Sequence, residues 1–123
     1  MIGIGLDLCE IARMERLLDQ DDRFLRRYFT AEEQEYVKAR GRMAAQSMAA
    51  MFAAKEAFVK ALGVGIGGGV SLLDVAVIHE AGGKPAFRLT GTALEKMNSL
   101  GAKQAWLSLT HEAGLAAAVA LIE

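Results

Sequence analysis

The sequence predicts an α+β fold with a mainly antiparallel sheet, and three features carry that prediction. An alternating strand pattern occupies residues 2–9. A long segment rich in alanine and methionine runs over about residues 42–62. Two pairs of short strands, 71–79 with 86–90 and 104–110 with 115–122, are each closed by a short turn. Hairpins mixed with long helices belong to the α+β class.

Taken in order, Ile2, Ile4, Leu6 and Leu8 alternate with Gly3, Gly5, Asp7 and Cys9, which is the period of a strand. Residues 10–19 are helical, with Ile11, Met14, Leu17 and Leu18 in one stripe. The polar run at 19–22 breaks the pattern before an arginine-rich helical piece at 22–29. Thr30 and Glu33 have capping-box spacing and start a helix at Ala31. Gly41 marks a break, and Gly63 is placed to end the long helix. GVGIGGG at 63–69 is a loop, and AGGKP at 81–85 turns the first strand pair. Thr92 and Glu95 have the spacing of a second capping box, and Gly101 ends that helix. His111 begins the turn between the last two strands. Phe52, Phe58 and Trp106 read as core.

The 123 residues are enough for one domain, 1–123, with a single core. Fourteen basic and fifteen acidic residues give a formal charge of −1, which offers no argument for nucleic acid or a membrane surface as partner. A single cysteine and two distant histidines exclude a disulfide framework and a zinc-thiolate cluster. No basic leader or spanning segment is visible, so a soluble, cytoplasmic protein is expected. Hydrophobic residues make up 53% of the chain before its 13 glycines are counted. That excess suggests apolar surface covered by another subunit.

Four features could carry chemistry. Gly63, Gly65 and Gly68 fit a dinucleotide fingerprint by letter, but the loop follows a helix and precedes a strand, the reverse of what that motif needs. It is either a loose connection or bare backbone that lets a ligand approach. Glu56 and Lys60 lie one turn apart on one helix face, the usual spacing of a solvated ion pair. Asp7, at the end of an otherwise apolar strand, needs solvent, a partner or a cation. Asp7 and Glu56 together would suffice for Mg²⁺ shared with phosphate oxygens, with Lys60 beside them as a cation or proton carrier. His111 is an ordinary turn histidine or a ligand contact. Arg13, Arg16, Arg23, Arg26 and Arg27 form either a solvated face or, with Met14, Leu17 and Phe24, a basic and apolar surface for an acidic protein partner.

MIGIGLDLCEI, FAAKEAFVKALGVGIGGG, GGKP and SLTHE, in this order and at these separations, resemble the bacterial holo-(acyl-carrier-protein) synthases, the small 4′-phosphopantetheinyl transferases. The resemblance covers the whole chain. It implies an α+β fold with a mainly antiparallel sheet packed on a long helix, assembled as a homotrimer with sites between subunits. It implies transfer of 4′-phosphopantetheine from coenzyme A to a serine of apo acyl carrier protein, in support of fatty acid biosynthesis, with adenosine 3′,5′-bisphosphate as by-product. By the family pattern, Asp7 and Glu56 hold Mg²⁺, and Lys60 assists proton transfer or stabilises phosphate charge. Lys60, Gly63, Gly65, Lys84, Pro85 and His111 contact coenzyme A. Arg13, Met14, Leu17, Arg23, Phe24 and Arg27 match carrier-protein positions. Two positions depart from the pattern. Met51 stands where arginine is common, so that Arg40, Arg42 or Lys84 would have to replace it, and Val64 stands where a small hydroxyl residue is common. The Met51 departure motivates a second reading, a non-catalytic module that binds carrier protein or coenzyme A.

Overall fold

A computed structural model describes residues 1–64 and 68–123. Strand β1 (Gly3–Glu10) lies antiparallel to β5 (Leu115–Ile122), and β5 pairs on its other side with β4 (Ala105–Glu112), so the sheet order is β1-β5-β4. A second antiparallel ribbon joins β2 (Val75–His79) to β3 (Pro85–Leu89). Helices α1 (Ile11–Gln20), α2 (Arg23–Tyr28), α3 (Ala31–Lys38) and α4 (Ala44–Ala61) separate β1 from the ribbon, and α5 (Gly91–Ser99) separates the ribbon from β4. The α+β class and the antiparallel pairing agree with the sequence reading.

Helix α4 lies on the three-stranded sheet, and small residues let it lie close. A Cβ built on Gly5 would sit 1.9 Å from the Ala57 carbonyl oxygen, and one on Gly3 would sit 1.9 Å from that of Ala61. Only glycine admits a helix backbone at that distance. Ala116, Ala118 and Ala120 of β5 are buried in the same core as Ala53, Ala54, Ala57 and Ala61 of α4. The glycine face of β1 is therefore the inner one. Ile4, Leu6 and Leu8 point outward and are 57–62% exposed.

The Thr30–Glu33 capping box forms, and Glu33 does more than cap. Its carboxylate also accepts from the Val77 N–H at 2.8 Å and from Lys55 Nζ at 2.8 Å. Lys55 is wholly buried, and its ammonium also donates to the Leu72 and Val75 carbonyls, both at 2.9 Å. Burial pushes the Lys55 ammonium below the ordinary lysine range, and the Glu33 carboxylate opposes that shift. This pair ties α3, α4 and β2 together.

Four local expectations are corrected. Thr92 and Glu95 do not form a capping box. Helix α5 starts at Gly91, and Asp74 caps it from a distant turn, accepting from the Thr92 N–H at 2.8 Å and its hydroxyl at 2.6 Å. Residues 72–74 of the expected strand 71–79 form a 3₁₀ turn that positions Asp74. His111 lies inside β4 opposite Ala116, because the hairpin turn is only Ala113–Gly114, both with positive φ as a tight primed turn requires. Trp106 is on the outer sheet face and 47% exposed, not in the core.

Candidate active site

The inner face of β1 and one flank of α4 bring three of the expected residues together. Asp7 projects on the glycine side of β1, and Lys60, in the last turn of α4, donates to its Oδ1 at 2.8 Å and to the Leu6 carbonyl at 3.1 Å. Glu56 is half-buried one turn earlier. Burial, and then the negative charge of Asp7, push its carboxyl above the ordinary carboxylate range, while Lys60 and Arg13 pull it down. Two carboxylates that feel each other are costly together unless a cation is shared between them. Asp7 and Glu56 supply only oxygen donors, which suits a hard divalent ion that keeps other positions for substrate oxygens. Among the described residues no three His, Cys, Asp or Glu side chains gather as a metal cage.

Gly63 follows α4 directly. It has φ of +76° and its N–H donates to the Lys60 carbonyl at 3.0 Å, the helix-ending geometry expected of it. Its exposed backbone is adjacent in sequence to the Lys60 turn. Gly65 lies outside the described residues.

The other expected ligand contacts are elsewhere. Lys84, Pro85 and His111 line a cavity of about 500 Å³ between α3, α4, the β2–β3 ribbon and β4. Met51 also lines it and is buried, while Arg40 lies on its wall; Arg42 does not. None of Asp7, Glu56, Lys60 or Gly63 lines it. The separation follows from the topology. Asp7 and Leu109 share one row of the sheet, through Ala118, but they lie on opposite edge strands with β5 between. That places them about 10 Å apart across the strands. One chain thus holds a carboxylate-lysine cluster on one edge and a cationic cavity on the other.

The basic face adjoins the carboxylate cluster. Phe24, Tyr28 and Phe52 pack with ring centroids 4.8–5.9 Å apart. The Arg13 guanidinium lies 5.8 Å from the Phe24 and Phe52 rings, and Arg27 lies 5.4 Å from Tyr28. Leu17 is half-buried beside them. Met14 is corrected. It has no exposed surface and packs in the core, so it supports the face from beneath and cannot touch a partner. Arg23 is paired with Asp21 through its Nε at 3.0 Å.

Two features were not singled out in the sequence. Lys55 falls on the stripe Met48, Met51, Lys55, Phe58, Leu62, so its burial was signalled by helical spacing, although its partners were not. Tyr36 and His79 lie 48 and 32 residues from Lys84 and His111 respectively in different contexts of the chain, and no local pattern joins them to the cavity.

Residues 3–120 match the family model of the 4′-phosphopantetheinyl transferase superfamily. The holo-(acyl-carrier-protein) synthase of Treponema denticola is 46% identical over 123 residues, covering 100% of this chain and 98% of that protein. That of Trichlorobacter lovleyi is 46% identical over 124 residues, again covering 100% and 98%. Among solved structures, the Helicobacter pylori holo-(acyl-carrier-protein) synthase in complex with coenzyme A superposes with a TM-score of 0.84 at 34% identity, covering 98% of this chain and 99% of that one. The Neisseria meningitidis enzyme gives 0.86 at 37%, covering 100% and 99%.

Proposed function

This chain belongs to the 4′-phosphopantetheinyl transferase superfamily, as an enzyme of the holo-(acyl-carrier-protein) synthase type, and from that premise we propose how its residues divide the work. The chain, a single domain acting in the cytoplasm, moves 4′-phosphopantetheine from coenzyme A to a serine of apo acyl carrier protein, in support of fatty acid biosynthesis. The serine oxygen forms a bond to the phosphorus that carries pantetheine. The bond from that phosphorus to the bridging oxygen breaks, the serine proton is lost, and adenosine 3′,5′-bisphosphate leaves. The observation that carries this reading is the convergence of Asp7, Glu56 and Lys60 at the inner edge of β1.

Phosphoryl transfer asks for alignment and charge neutralisation more than for covalent help. Asp7 and Glu56 would hold Mg²⁺, which when bound supplies Lewis-acid stabilisation to the diphosphate. Lys60 donates two hydrogen bonds within the chain, to Asp7 and to the Leu6 carbonyl, and keeps one N–H for a phosphate oxygen. The exposed Gly63 backbone lies along the diphosphate and pantetheine arm. Lys84, Pro85 and His111 hold the nucleotide end in the cavity. Arg13, Leu17, Phe24 and Arg27 present a basic, aromatic surface to the acidic carrier, with Arg23 at its rim.

The nucleotide cavity and the carboxylates lie on opposite edges of the sheet, so a neighbouring copy completes the site. The outer sheet face supports this. Ile4, Leu121 and Trp106 share one row of it, and Leu6, Val119 and Ser108 the next. An apolar face of this kind marks an interface, and the homotrimer of the family covers it. Among the described residues no helix is long and apolar enough to cross a membrane.

The test is the intact mass of an apo acyl carrier protein incubated with this enzyme, coenzyme A and Mg²⁺. A gain of one phosphopantetheine group that chelation abolishes is expected. Tight binding of both substrates without any mass gain, across several apo carriers, would favour the non-catalytic module instead.

A further inference from the structure

The glycine-rich segment that follows Lys60 returns to the fold through a hydrogen-bonded clasp to which the reading above gives no part in the reaction. The chain re-enters at Ser71, whose N–H donates to Thr92 Oγ1 at 2.8 Å. The Thr92 hydroxyl in turn donates to Asp74 Oδ2 at 2.6 Å, and the Thr92 N–H donates to the same oxygen at 2.8 Å. The Thr90 hydroxyl donates to Asp74 Oδ1 at 3.3 Å. The Asp74 N–H closes the ring on the Ser71 carbonyl at 3.0 Å. The Thr92 hydroxyl is thus the atom that joins the returning backbone to α5.

The clasp has a prepared seat. Gly91 has φ of +44°, and a Cβ there would lie 2.6 Å from Asp74 Oδ2, so a left-handed glycine leaves the room that the carboxylate fills. Hydrogen bonding from the Thr92 hydroxyl, against the opposing effect of burial, holds the Asp74 carboxyl below the ordinary carboxylate range, and an ionised acceptor orients that hydroxyl firmly. The inner side of the same turn is anchored to α4, where Lys55 Nζ donates to the Leu72 and Val75 carbonyls, both at 2.9 Å. The departure of the segment is fixed to that helix too, by the Gly63 N–H donating to the Lys60 carbonyl at 3.0 Å. Both ends are therefore set by the helix that carries Glu56 and Lys60, and Thr92 adds an outer tie. A hollow of about 250 Å³ lies between residues 68–70 and α5, so hydrogen bonds rather than close packing make that tie.

We propose that Thr92, oriented by the Asp74 carboxylate, is a positioning residue for the diphosphate and pantetheine arm of coenzyme A. By fixing where the segment that leaves α4 at Gly63 must return, it holds that backbone to the arm. This rests on the assignment of the Gly63 backbone to the arm. Thr92 touches no substrate in this account and acts through the chain between Gly63 and Ser71. A segment whose two ends are fixed has fewer conformations to lose when a ligand orders it, which raises affinity for the part of the ligand that it meets. The nucleotide end, held in the cavity on the other edge of the sheet, is independent of the clasp.

The experiment measures binding of coenzyme A and of adenosine 3′,5′-bisphosphate to the full chain by calorimetry, with Mg²⁺ and without carrier, so that nothing turns over. The ratio of the two affinities reads the contribution of the arm. Thr92→Val keeps the shape and removes the hydroxyl. It is expected to lower the affinity for coenzyme A by about fivefold, the scale of one net hydrogen bond, and to leave that for the bisphosphate unchanged. Thr92→Ser, which restores the hydroxyl, is expected to recover the wild-type ratio. Asp74→Asn, a weaker acceptor of the same size, is expected to fall between, and it carries the test alone should a circular-dichroism melt show that Thr92→Val does not fold. A variant that keeps the wild-type ratio, or that loses affinity for both ligands equally, overturns the proposal and leaves the clasp a helix cap. A wild type that binds coenzyme A no more tightly than the bisphosphate overturns the assignment of the Gly63 backbone and this proposal with it. A chain that transfers no phosphopantetheine yet shows a Thr92-dependent ratio would refute the transferase reading and leave this one standing.

Discussion

Lys60 Nζ lies 2.8 Å from Asp7 Oδ1, joining the last turn of α4 to the middle of β1 across 53 residues of sequence. The contact is possible because β1 presents two glycines, Gly3 and Gly5, to α4 just before Asp7. Gly5, two residues before Asp7, touches the backbone of Ala57, one turn before Lys60. The structural requirement for close packing and the chemical requirement for an acid–cation pair are met by the same stretch of strand.

Gly5→Ala should therefore damage both. The added methyl has only backbone to displace, so β1 must move off α4. A loss of about 2–3 kcal/mol or more is expected, at the upper end of overpacking costs, together with a drop in turnover larger than that of an equally destabilised core variant. Thermal melts and steady-state rates check this, and a variant that melts like the wild type would contradict the packing.

Glu56 makes a prediction about pH. Burial, and then Asp7, raise its folded-state pKa above the unfolded value. Below the unfolded value the group is protonated in both states and contributes its full stability. As pH rises the unfolded chain ionises first, and that contribution is lost through the folded pKa. Glu56→Gln, measured with a chelator present, should therefore melt above the wild type at pH 7–8, with the gap closing towards pH 4, while transfer activity is abolished. A variant that melts lower than the wild type at pH 8 would mean that Glu56 is a stabilising carboxylate rather than one held for an ion.

The arginines of the basic face should not be equivalent. Arg13 lies over Phe24 and Phe52 and is close enough to Glu56 to influence it, whereas Arg23 is occupied by Asp21. Arg13→Glu should raise the KM for the carrier by about tenfold or more and flatten its otherwise steep salt dependence, because a rim charge steers association and salt screens that attraction. Arg23→Glu should have a smaller effect. Equal changes in the KM for coenzyme A would move these residues to the nucleotide end.

Lys55 should prove structural. Lys55→Met leaves the Glu33 carboxylate buried without its cation, and breaking one half of such a pair costs about 3–5 kcal/mol. Denaturant unfolding should show that loss, and the double variant Lys55→Met with Glu33→Gln should recover part of it. If Lys55→Met keeps full stability and loses only activity, Lys55 contacts substrate instead.

Much of this was legible in the sequence, and the exceptions share a cause. The order of elements, the Thr30 cap and the Gly63 helix end follow from local spacing, and each formed. Asp7, Glu56 and Lys60 were named from residue chemistry and from family likeness, and their convergence depends on β1 lying beside α4. What could not be read was which side of β1 faces in. Alternation gives two faces, and the apolar one turned outward because only the glycine face admits a helix backbone. The same limit explains Met14, whose stripe is shared between core and surface, and the Asp74 cap, whose partner lies 18 residues away. The Tyr36–His79 stack joins two elements that no local period connects.

The central claim is that the reaction centre is divided between copies, with carboxylates from one and the cationic cavity from the next. The most direct measurement co-expresses two variants that are each impaired, Asp7→Asn in one chain and Lys84→Glu with His111→Ala in the other, and follows phosphopantetheine transfer at low coenzyme A. Hybrid assemblies should regain a substantial fraction of wild-type activity, since some of their sites then combine an intact cluster with an intact cavity. Activity no higher than the sum of the separately prepared variants would contradict the account and place the complete site within one chain.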